Sequence, residues 1–118
     1  MYTRSYDIGP VTVFEMEGDL NLHSLRWLEE SLGDFVANGR LRIVLSLGSV
    51  ALITSSGLSS LIQFSQDFKQ REGQIALAEV PQTGRKVLAI TRLDSLFSIY
   101  DSTAAAAQAL AAGDSQSA

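Results

Sequence analysis

The spacing of apolar and polar positions changes period several times along the chain, and each change marks an element. Residues 2–8 (YTRSYDI) alternate weakly and predict a short edge strand. Gly9-Pro10 is a turn signal. Val11–Glu17 (VTVFEME) is rich in β-branched residues and predicts a second strand. Its apolar phase shifts from Val11 and Val13 to Phe14 and Met16, which calls for a bulge or for burial on both faces. Gly18-Asp19-Leu20-Asn21 then breaks the pattern. Leu25, Leu28, Leu32, Phe35 and Val36 recur at three- and four-residue spacing, one apolar face of a helix. Asn21 or Ser24 caps its start, Glu29, Glu30 and Asp34 lie on its wet side, and Asn38-Gly39 stops it.

Leu41–Leu47 (LRIVLSL) is almost continuously apolar, the signature of a strand covered on both faces. Gly48–Thr54 (GSVALIT) is expected to be a loop. A second helix over about 55–71 turns Leu58, Leu61, Ile62 and Phe68 inward and ends at Glu72-Gly73. Gln74–Val80 (QIALAEV) reads as a third core strand, and Thr83–Leu93 as a short helix carrying Val87, Ile90 and Leu93. Leu96–Tyr100 (LFSIY) is a last strand. Thr103–Ala112 is a closing helix, since alanine is the best helix former. The order β-β-α-β-α-β-α-β-α predicts one α/β domain over residues 1–112, with residues 113–118 as a polar tail. Its sheet is mixed and mostly parallel, with four to five strands, the first two in a hairpin, and about four helices packed against it.

A chain of 118 residues builds one hydrophobic core without metals or disulfides. It has no cysteine, which excludes a disulfide scaffold, a thiolate zinc site and a cysteine nucleophile. The single histidine, His23, excludes a multi-histidine metal site. The net charge is −4, and the nine Lys and Arg residues are dispersed, so the basic footprint of a nucleic-acid binder is missing. No apolar run approaches the roughly 20 residues that span a bilayer, and the amino terminus lacks the apolar core of a signal peptide. These features point to a cytoplasmic protein without a cofactor.

Candidate chemistry is sparse. A serine hydrolase would pair a serine with His23, but the G-x-S-x-G elbow is missing. Neither G-x-x-x-x-G-K-[ST] nor G-x-G-x-x-G occurs. Glu15 and Glu17 read as an exposed strand face rather than an acid–base pair. The stretch ITSSGL is different: Thr54, Ser55 and Ser56 stand where a helix begins, followed by Gly57. One hydroxyl suffices to cap a helix, and Thr54 is placed to do so. A phosphoryl group on Ser55 would sit near N–H groups that lack helical partners, a setting that tolerates an anion. Its charge of about −1.5 to −2 would rewrite the local surface.

At this point the chain resembles the STAS domain family, whose best-known members are bacterial anti-sigma factor antagonists. The resemblance covers about residues 8–110. It rests on FEMEGDLNLHS (strand, then Gly-x-Leu-Asp-like turn into a helix), on RIVLSLGSVALITSSGL against the family's D-S-[ST]-G-[LIV] signature, and on EGQIALAEVPQTGRKVLAITRLDSLFSIYDSTAAA. It implies a non-enzymatic interaction domain with Ser55 as phosphoacceptor. The implied partner is an anti-sigma factor, often itself the serine kinase, with a serine phosphatase resetting the switch. The implied contact surface takes in Asp19, Leu20, Asn21, Ser49, Thr54, Ser56 and Gly57; Ser59 and Ser60, in the first turns of the same helix, are added to it. Two positions depart from the family pattern: Thr54 replaces the aspartate before the phosphoserine, and Ser46 replaces an Asp or Asn at the end of the preceding strand. Other readings stay open: a STAS subunit docking on a lipid-transport ATPase, a constitutive scaffold with a degenerate phosphosite, or a hydrolase using Ser55 or Ser56. Residues 2–8 could also support a weak homodimer through an exposed edge.

Overall fold

Strand β1 (Tyr2–Ile8) and strand β2 (Val11–Leu20) form the antiparallel hairpin expected around Gly9, which adopts a φ of 59° in the turn. A computed structural model describes residues 2–37, 42–90, 92 and 97–112. The remaining elements are α1 (Leu22–Ala37), β3 (Arg42–Ile53), α2 (Ser55–Gln70), β4 (Gln74–Ala78), α3 (Gln82–Ile90), β5 (Ser98–Tyr100) and α4 (Thr103–Ala112). The five strands lie in the order β1-β2-β3-β4-β5. Only the β1–β2 pair is antiparallel, because each later strand is reached through a helical crossover.

The phase shift in β2 reflects burial on both faces. Phe14 and Met16 join Leu25 and Leu28 of α1, Leu58, Leu61, Phe64 and Phe68 of α2, and Leu88 of α3 in the larger core. Val11 and Val13 face the other way, with Val44, Ala76 and Ala78, onto Ala106, Ala107 and Leu110 of α4. Three helices therefore cover one face and α4 the other. Each large side chain buried there contributes about 1.5–3 kcal/mol relative to exposure. At the outer edge, Arg4 clips the hairpin through a bidentate pair with Glu15 at 2.7 and 3.2 Å, which holds the Glu15 carboxyl below its ordinary range.

Four expectations need correction. β2 does not break at Gly18 but runs on to Leu20, with Gly18 at a φ of 77°. Residues 48–53 are not a loop: β3 continues through them to Ile53, paired with Glu17–Leu20 of β2. They looked loop-like because two register shifts interrupt the alternation there. The short helix turns Gly84 and Leu88 inward, whereas Ile90 is 82% exposed, so its phase differs from the one read off Val87, Ile90 and Leu93. Phe64, absent from the predicted face of α2, is buried and stacks on Phe68 with centroids 5.8 Å apart. The side chains of Leu32, Asp34, Phe35, Val36 and Val87, and residues 38–39, Leu93, Leu96 and 113–118, lie outside the described residues.

Candidate functional site

The parallel register of β2 and β3 brings their C-terminal ends together, and with them the starts of α1 and α2. Asn21, not Ser24, caps α1: its Oδ1 accepts from the Ser24 backbone N–H at 3.0 Å. Ser24 instead ties the turn down, its Oγ donating to the Asp19 carbonyl at 2.7 Å. Thr54 caps α2 from an extended conformation, its Oγ1 accepting from Gly57 N–H at 3.0 Å. Such a cap is worth ~1 kcal/mol. The same hydroxyl donates to the Leu20 carbonyl at 3.4 Å and lies 3.2 Å from Ser56 Oγ. A hydroxyl has one proton to give, so Ser56 is the donor to Thr54. The Thr54 backbone N–H also reaches Leu20 O, at 3.0 Å.

The three hydroxyls of the ITSSGL stretch thus have separate surroundings. Thr54 is a half-buried cap, Ser56 is exposed and bonded to that cap, and Ser55 is exposed at the first helical position. The N–H groups of Ser55 and Ser56 fall in the first turn, outside the helical ladder. Neither α1 nor α2 carries an acid in its first turn. Exposed Asp19, paired across the ribbon with Leu52, is the acid nearest in the register.

The nominated contact residues do not all reach the surface. Asp19, Ser49, Ser56 and Ser59 are exposed, while Asn21, Thr54 and Ser60 are half-buried. Leu20 and Gly57 are buried and serve the junction itself. A Cβ on Gly57 would overlap the Leu20 carbonyl and lie 2.8 Å from the Asn21 Cα, so this is where β2 and α2 touch backbone to backbone.

Ser46 belongs to different surroundings from those the sequence suggested. It lies mid-strand, where pairing with β4 ends, and is buried. Its Oγ is 3.1 Å from Thr103 Oγ1 of α4. Thr103 donates from Oγ1 and from its backbone N–H to Glu79 Oε2, at 2.7 and 3.3 Å. Glu79, at a φ of 56°, thereby anchors the start of α4 and reaches over Gly48, where a Cβ would come within 2.9 Å of its Oε1. Beside this network is a polar cleft of about 210 Å³ lined by Glu15, Met16, Ser46, Gly48, Ser49 and Glu79. Nothing in the serine-rich sequence marked Glu79 in advance. His23 is exposed, and no hydrogen bond joins it to a serine among the described residues. No group of three or more metal-ligating side chains occurs among them either, and no helix there is long and apolar enough to cross a membrane.

These elements form a small mixed α/β domain in which Thr54 caps α2 and the exposed Ser55 opens it, at the junction of β2, β3 and α2. The STAS domain model matches residues 2–106, and the chain belongs to that family. It is 32% identical over 94 residues to BtrV of Bordetella bronchiseptica, a protein named as an anti-sigma factor antagonist, covering 80% of this chain and 81% of that one. A Thermotoga maritima structure described in the same terms superposes with a TM-score of 0.79 at 24% identity, over 89% of this chain and 91% of the other. The Bacillus cell-fate determinant SpoIIAA, solved in its phosphorylated form, superposes with a TM-score of 0.64 at 16% identity, over 86% and 94% of the two chains. At these identities the two structures establish the fold alone.

Proposed function

We propose that this chain is an anti-sigma factor antagonist that binds an anti-sigma factor when Ser55 is unmodified and releases it when Ser55 is phosphorylated. The observation that carries the reading is the exposed Ser55 hydroxyl at the first helical position of α2, held there by a neutral cap. The 32% identity to a protein named for this role supports the partner class. The anti-sigma factor is also the serine kinase, and a serine phosphatase restores the binding form. Asp19, Asn21, Ser49, Thr54, Ser56, Ser59 and Ser60 frame the contact surface; Leu20 and Gly57 hold it in shape. Thr54 in place of the family aspartate keeps the cap while removing a carboxylate from beside the acceptor. Modification therefore adds charge to a locally uncharged helix start instead of adding to an existing negative one.

Incubation with ATP and the serine kinases of the same genome is expected to raise the intact mass by about 80 Da, one phosphoryl group, and Ser55→Ala is expected to abolish the gain. A complex with an anti-sigma factor that forms without any such modification would instead make the domain a constitutive scaffold. Co-purification with a transport ATPase, unaffected by Ser55→Ala, would place it in a transport system.

A further inference from the structure

Four large apolar side chains are exposed among the described residues: Ile8, Leu22, Leu52 and Ile90. Leu52 differs from the others in how it comes to be exposed. Val50, Leu52 and Ile53 sit in one strand, and regular alternation would send Leu52 to the core with Val50. The register prevents this. Gly18 pairs with Val50, but the next β2 residue, Asp19, pairs with Leu52, so Ala51 is an extra residue on β3. This bulge turns Leu52 out to 54% exposure and gives its place to Ile53, which packs against the core. Bulges recur beside functional sites because they re-aim single side chains. Here the re-aimed side chain stands three residues before Ser55. Its surroundings are small or polar: Ala51, Ser49 and Asp19 are all exposed. Leu22, 38% exposed, opens α1 at the same end of the sheet.

We infer that Leu52 is the apolar anchor of the contact surface; this rests on the anti-sigma factor reading above. The occupant is an anti-sigma factor that offers an apolar pocket to Leu52. Exposed Asp19 lies directly across from Leu52 on β2, so the pocket is edged by a basic side chain on that side. Among the described residues, neither the Arg4–Glu15 nor the Arg85–Asp101 ion pair places a cation beside Ser55. A phosphoryl group there keeps only part of its charge matched by the first-turn N–H groups and would have to shed the rest of its water beside the buried leucine, which is how the switch breaks the contact. Single buried anchors of this kind carry a large share of interface energy, while the polar rim carries little.

The test uses the anti-sigma factor that binds the unmodified full chain, with affinity measured by calorimetry. Leu52→Ala is expected to weaken binding about tenfold or more, Leu52→Met to stay within about threefold, and the more exposed Ile90→Ala to stay within about twofold. Melting temperatures should fall little for any of the three, because Leu52 is more than half exposed and Ile90 more so. Binding by Leu52→Ala within about threefold of the parent, with Ser55→Asp impaired, overturns the anchor but leaves the switch reading intact. Equal losses in Leu52→Ala and Leu52→Met overturn the anchor too. If neither Leu52→Ala nor Ser55→Asp weakens the complex, both readings fall.

Discussion

Ser55→Asp is expected to weaken the complex with an anti-sigma factor by about 100-fold or more, the usual cost of leaving a charge unpaired in an interface. The cause lies in the site's geometry. The hydroxyl of Ser55 projects from the first turn of a helix whose neighbouring cap, Thr54, is neutral and already committed to Gly57 N–H and Leu20 O. A carboxylate there finds first-turn N–H groups that stabilise it within the domain, so folding should be preserved and the melting temperature unchanged or slightly raised. The loss then falls on binding alone. Titration calorimetry with the parent protein and with Ser55→Ala as controls separates the effects, because Ser55→Ala should bind as the parent does. Wild-type affinity in Ser55→Asp would remove Ser55 from the contact surface.

The second large effect concerns stability. Gly57→Ala is expected to cost roughly 3 kcal/mol or more, at the upper end for overpacking. The added methyl meets the backbone of Leu20 and Asn21 rather than a movable side chain. Those two residues are themselves fixed: Leu20 O receives the Thr54 amide, and Asn21 caps α1. The melting temperature should drop by about 10–20 °C. By contrast, Ser59→Ala at an exposed position of the same helix should stay within about 0.5 kcal/mol of the parent. A Gly57→Ala protein that melts with the parent would show that β2 and α2 can separate at little cost.

Element order and sheet class were legible in the sequence because apolar periodicity carries them: each of the nine elements occurs where its pattern lies. The two-faced burial of β2 could be read from its phase shift, since Phe14 and Val13 serve different helical layers. The Thr54 cap was legible too, because capping depends on residue type and local position. What escaped was set by neighbours distant in sequence. The continuation of β3 through Gly48–Ile53 depends on β2 staying extended past Gly18, and a glycine with positive φ reads as a breaker until its partner strand is known. The burial of Ser46 depends on Thr103, 57 residues away. The exposure of Leu52 depends on a register shift that no composition rule reports. Leu20 looked like a contact residue by its place in a motif, yet a leucine next to a junction of this kind is held by packing.

Among the described residues β4 pairs with β3 only from Arg42 to Ser46, so the last residues of β3 have a described strand on one side alone. The domain therefore has a soft end. Amide hydrogens from Ser49 to Ile53 should exchange with deuterium sooner than those of Ile43 to Leu45, which need disruption of the sheet's centre. Ser55 lies two residues beyond that stretch, past the Thr54 cap. Moving Ser55 out of its helical position would take opening of that stretch together with loss of the Thr54 cap and of the Thr54 amide bond to Leu20 O, at a free-energy cost below global unfolding. Such an opening leaves the strand pairing of Ile43 to Leu45, at the sheet's centre, undisturbed.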